Sequence, residues 1–139
     1  MSDINKKHIK ILEDIYDDYI HSVSTKGMAA SWELCLYIFK ECQSKQYKKV
    51  IDCGSGITSV FLRYYQSINE DVVIFSTDHH EDWLIKSQLF TEKYKLNTDN
   101  FIHLIDNDVL KKEWGTFDYV IYDYGMTSGH KERFYFLPS

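Results

Sequence analysis

Four short apolar runs, spaced by stretches of helical character, constrain this chain more than any other feature. Val50–Ile51, Val72–Ser76, Phe101–Ile105 and Phe117–Tyr122 each suit a strand better than a helix. The run at Val72–Ser76 has four apolar residues in a row, as expected of a parallel strand covered on both faces. Between the runs, residues 58–68 and Trp83–Leu96 read as helices, and Asp106–Trp114 as a loop with a short helical piece. Strands alternating with helices build βαβ units and a parallel sheet, and right-handed crossovers leave few topologies.

Two helices are expected before the first strand. Residues 4–20 carry Ile and Tyr at roughly helical spacing. A Ser-, Thr- and Gly-rich break over 21–28 follows, then a helix from Trp32 to Ser44 with Ser31 as its N-cap. The 139 residues make one domain, and 44% hydrophobic content is enough for a core. A formal net charge of −5 argues against a broad basic face for nucleic acid. Cys35, Cys42 and Cys53 form no C-x-x-C pair and no disulfide framework, so they read as reduced thiols of a cytoplasmic protein. No apolar run approaches the roughly 18 residues a membrane span needs, so no membrane partner is expected.

The sharpest local signal is Val50-Ile51-Asp52-Cys53-Gly54-Ser55-Gly56-Ile57-Thr58-Ser59. It lies between a strand and a helix, where ligands bind in open α/β sheets. Glycine permits a sharp turn and close ligand approach, and the following helix is expected to aim free N–H groups at the ligand. A dinucleotide fingerprint needs Gly or Ala where this chain has Ser59, and no G-K-[ST] follows for a phosphate loop. Asp52 is expected to repel a pyrophosphate and to favour an ammonium or sulfonium.

Asp52-Cys53-Gly54-Ser55-Gly56 resembles the first motif of the Rossmann-like S-adenosylmethionine-dependent methyltransferases. Ser76-Thr-Asp78-His79-His80 looks like the second motif, with an acid ending strand two, about two dozen residues after the turn and near the ~20 typical of ribose-binding acids. Leu104-Ile-Asp106-Asn107-Asp108-Val109-Leu110 resembles the loop after strand three, and Phe117-Asp118-Tyr-Val-Ile-Tyr-Asp123 the strand-four motif. Together the matches cover residues 50–125.

The resemblance implies a Rossmann-like three-layer αβα sandwich with a mainly parallel sheet of about four strands in the order 3-2-1-4. It makes residues 1–48 N-terminal helices, 49–125 the cofactor-binding core and 126–139 a truncated C-terminal segment. It implies S-adenosylmethionine as cofactor, held by Asp52, Cys53, Gly54, Ser55, Gly56, Thr58 and Ser59. Asp78 would take the ribose hydroxyls, His79 or His80 would flank the adenine, and Asp108 and Val109 would meet its edge and face. Asp123 would lie beside the methyl group as the catalytic candidate. The implied activity is methyl transfer to an unknown acceptor. A binding module without transfer is the alternative, and a nicotinamide-dependent oxidoreductase is disfavoured by Asp52 and Ser59. No metal is expected, because adjacent His79 and His80 cannot easily share one face and no H-E-x-x-H occurs.

The family order continues 3-2-1-4-5-7-6, yet only 16 residues follow Asp123. GHKERFYFLPS reads as the start of another helix, which leaves the apolar strand four as a bare edge. Such an edge invites pairing. Self-association, a partner that completes the sheet, or a truncated gene product would each account for it.

Overall fold

The computed structural model describes residues 3–24, 28–105, 111–122 and 135–137. Helices α1 (Asp3–Ser22) and α2 (Trp32–Lys45) precede strand β1 (Lys49–Cys53). Then follow α3 (Ile57–Ser67), β2 (Val73–Asp78), α4 (Glu81–Lys93), β3 (Phe101–His103), a 3-10 helix at Lys112–Trp114, β4 (Tyr119–Tyr122) and β5 (Tyr135–Leu137). The expected N-cap of α2 is present: the Ser31 hydroxyl accepts from Leu34 N at 3.1 Å.

The sheet order is β3-β2-β1-β4-β5. The first four strands are parallel, with Ile51 opposite both Phe75 and Val120. This is the α/β architecture expected from the apolar runs, with the 3-2-1-4 order that the resemblance implies. β5 is an addition: it pairs antiparallel to β4, with Ile121 opposite Phe136. Two expectations are thereby corrected. Residues 135–137 are strand, not helix, and β4 is not a bare edge. β5 occupies the ladder positions along Val120–Tyr122 that a partner strand would take.

The sheet is the middle of three layers. Val50, Ile74, Tyr119 and Ile121 face the larger core, into which Leu12, Ile15 and Tyr19 of α1, Ile38 and Phe39 of α2, and Val60 and Phe61 of α3 pack. Ile51, Cys53 and Val120 face the other way, into a smaller cluster with Phe117, Phe75 and Trp114. Lys49 closes that second layer, its ammonium 5.0 Å from the Phe117 ring centroid. α1 is tied across to α4 by Asp18, which binds Lys93 Nζ at 2.7 Å and accepts from the Tyr94 hydroxyl at 2.5 Å. These contacts hold the Asp18 carboxyl below its ordinary value. Among the described residues no helix is long and apolar enough to cross a membrane.

Candidate functional site

The crossovers β1→β2→β3 run to one side of β1 and β4 lies on the other. The chain therefore changes direction beside β1, at the carboxyl ends of β1 and β4, where open α/β sheets leave a crevice. The glycine turn 54–56 sits there, between the end of β1 and the start of α3, and Asp78 closes β2 alongside it.

Asp52 does not face that crevice. It is fully buried. Its Oδ2 accepts from the Ser59 hydroxyl at 2.5 Å and the Thr58 hydroxyl at 3.2 Å, and its Oδ1 from the Ser76 hydroxyl. Ser76 in turn accepts from Arg63 Nη1 at 2.6 Å, so a hydroxyl relays between carboxylate and guanidinium. Arg63 is also fully buried. It donates to Ser59 O at 3.2 Å and Asp99 O at 3.0 Å, and lies 3.8 Å from the Phe101 ring centroid. Burial pushes the Asp52 carboxyl above its ordinary value, although Arg63 and the three hydroxyls pull the other way. Burial likewise lowers the Arg63 guanidinium to about 10, which leaves it charged at neutral pH. The side chains of Asp52, Thr58 and Ser59, which the resemblance places at the ligand, join beneath the turn and fasten α3 to β1 and β2. Cys53, also fully buried, packs into the smaller apolar cluster.

The turn's own amides are occupied. Gly54 N donates to Thr77 O at 2.8 Å, Ser55 N to Asp78 Oδ2 at 2.9 Å, and Gly56 N to the Ser59 hydroxyl at 3.1 Å. Within the first turn of α3 itself, Ser59 N donates to Gly56 O at 3.0 Å. Ser59 stands three residues after Gly56, where its hydroxyl reaches back to the helix entry. Gly54 has φ +111°, a backbone region closed to side chains. Gly56 is extended, and a Cβ there would meet only the Tyr19 hydroxyl, at 3.5 Å. Gly54→Ala is therefore expected to destabilise by about 1–3 kcal/mol, and Gly56→Ala by less. Equal losses in thermal unfolding of the two variants would contradict this turn geometry.

Asp78 is 7% exposed. Besides Ser55 N, its Oδ2 accepts from the Ser55 hydroxyl at 2.7 Å, and its Oδ1 from His80 N at 2.9 Å. His80 then leads into α4, its carbonyl accepting from Leu84 N at 3.2 Å. His79 lies on the same rim. Its carbonyl is 3.1 Å from His103 Nε2, while His103 Nδ1 is 3.3 Å from Glu81. Turn, β2 end and His79–His80 segment thus form one continuous hydrogen-bonded rim. Asp108, Val109 and Asp123, expected at the adenine and the methyl group, lie outside the described residues.

Arg63 and Ser76 escaped the sequence reading. One signal existed: Arg63 stands four residues after Ser59, on the same face of a helix that is otherwise largely apolar. Among the described residues, surface clefts lie away from the rim. One, of about 450 Å³, includes Tyr16, Trp32 and Glu33 in its lining; another, of about 380 Å³, includes Ile9, Phe39 and Lys40. Among the described residues no group of three or more His, Cys, Asp or Glu converges as a metal set. No protein-family model matches the chain, and no curated protein is detectably similar to it.

Proposed function

We propose that the rim binds S-adenosylmethionine and that the chain transfers its methyl group to an acceptor not yet identified. One observation carries this reading. At the point where the sheet changes direction, the three turn amides that would cradle a phosphate already have acceptors, one of them the carboxylate of Asp78. A pyrophosphate would meet no free donor at residues 54–56 and would face a carboxylate. A sulfonium nucleoside has the opposite requirements. Its positive charge is favoured near Asp78, and its ribose hydroxyls are donors in search of an acceptor. A nicotinamide dinucleotide is therefore disfavoured by the occupied amides, one of them held by the Ser59 hydroxyl, and no longer by an exposed Asp52.

Methyl transfer from a sulfonium needs little acid–base chemistry, because the methyl is already activated and the protein must mainly align the acceptor. The described residues supply the cofactor half of such a site. By the resemblance, Asp123 would stand next to the methyl group. Three buried cysteines, none of them in a disulfide, fit a reducing compartment such as the cytoplasm.

Titration calorimetry with S-adenosylmethionine, S-adenosylhomocysteine and NAD tests the reading. Micromolar binding of the first two, with no heat from NAD, is the expected result. Tighter binding of NAD, or silence with all three, would sink it. Transfer is then read as S-adenosylhomocysteine formed when candidate acceptors are added.

A further inference from the structure

We infer that the Ser55 hydroxyl is a built-in competitor for the ribose and sets how strongly the site distinguishes a ribose from a deoxyribose. The inference rests on the nucleoside reading above. A carboxylate offers about four lone-pair sites. Asp78 already fills three of them, with Ser55 N at 2.9 Å, the Ser55 hydroxyl at 2.7 Å and His80 N at 2.9 Å. Among the described residues no donor fills the fourth, and a ribose diol needs two.

The three existing bonds are not equally able to yield. Ser55 N is fixed by the turn, whose neighbouring amides at Gly54 and Gly56 are also bonded. His80 N is fixed by the entry to α4, where His80 O holds Leu84 N. The Ser55 hydroxyl alone moves by rotating one side-chain torsion, and Ser55 is half-buried, so it has space to turn. A hydroxyl on a carboxylate is chemically what a ribose hydroxyl would be. Binding a diol thus exchanges one hydroxyl bond for another at Oδ2 and gains a bond only at the fourth site. A ligand with a single ribose hydroxyl uses the fourth site and leaves Ser55 undisturbed.

The test compares wild type with Ser55→Ala by calorimetry, using S-adenosylmethionine, adenosine and 2′-deoxyadenosine. The variant keeps the Ser55 amide bond to Asp78 and loses only the hydroxyl. Affinity for S-adenosylmethionine and adenosine is expected to rise about tenfold, about 1.4 kcal/mol, with that for 2′-deoxyadenosine unchanged. Ser55→Gly should behave alike, and unaltered melting of either variant shows that the turn persists. Should wild type bind S-adenosylmethionine and both variants bind it no better, the competition is overturned while the nucleoside reading stands. A gain equal for adenosine and 2′-deoxyadenosine overturns it as well. Absence of binding by every form overturns the reading and the inference together.

Discussion

Arg63→Met is expected to lower the unfolding free energy by about 3–5 kcal/mol, as breaking one half of a buried charged network does. At this chain length that is a fall of about 10–15 °C in melting temperature. The guanidinium is fully buried and serves Ser59 O, Ser76 and Asp99 O from three parts of the chain. Methionine fills the space and satisfies none of these groups. The deficit should depend on pH, and its sign follows from Asp52. Burial holds that carboxyl above its ordinary value of 3.8. A carboxyl with a raised folded pKa contributes fully below its unfolded value, and the contribution is lost as pH climbs through the folded one. Without Arg63 the folded value rises further, so the deficit widens only above the wild-type folded value, as pH climbs from there to the variant's. The double variant Asp52→Asn/Arg63→Met removes both charges and should recover part of the loss. A deficit under about 1 kcal/mol, or one that is flat with pH, would mean that the network does not hold α3 to the sheet as described.

Much of this architecture was legible because its signals are local. Each apolar run became a strand, and β2 runs on past its apolar run to Asp78, the end that the resemblance implies and composition does not show. Thr77 and Asp78 look like a loop by composition, yet both are buried, Thr77 opposite Cys53 and Asp78 opposite His103. β5 was illegible for a related reason. What makes Tyr135–Leu137 a strand is pairing with Val120–Tyr122, a long-range partnership that residues 131–137 do not announce.

The orientation of Asp52 was legible in principle and was misread. Side chains alternate along a strand, so Asp52 must point the same way as Val50 and opposite to Ile51. Val50 lies in the core under the helices, which directs Asp52 beneath α3 and away from the crevice. Chemistry alone suggested that a carboxylate beside a glycine turn greets the ligand. Strand parity assigns that place instead to a residue from the neighbouring strand, and Asp78 at the end of β2 is the carboxylate that bonds the turn from the rim side.

The two carboxylates should therefore separate in a crossed experiment. Asp78→Ala is expected to weaken S-adenosylmethionine about 100-fold, since two charge-assisted bonds to the ribose are each worth about 1.5–3 kcal/mol and part of that is offset by the loss of Ser55. Its stability should fall by only about 1–2 kcal/mol, because the groups it releases lie on the rim, where water can replace it. Asp52→Asn should do the reverse. It leaves Arg63 buried without its anion and costs about 3 kcal/mol of stability, yet the protein that remains folded binds within a few-fold of wild type. Calorimetry at a temperature where both variants are folded, paired with urea unfolding, reads the two effects independently. If Asp52→Asn instead loses the ligand while still folded, Asp52 must turn outward when the ligand arrives, and the hydroxyls of Thr58, Ser59 and Ser76 would then have to find new acceptors in the same step. That rearrangement would also carry Arg63 with it, so tryptic and hydrogen-exchange protection of α3 would drop on ligand binding rather than rise.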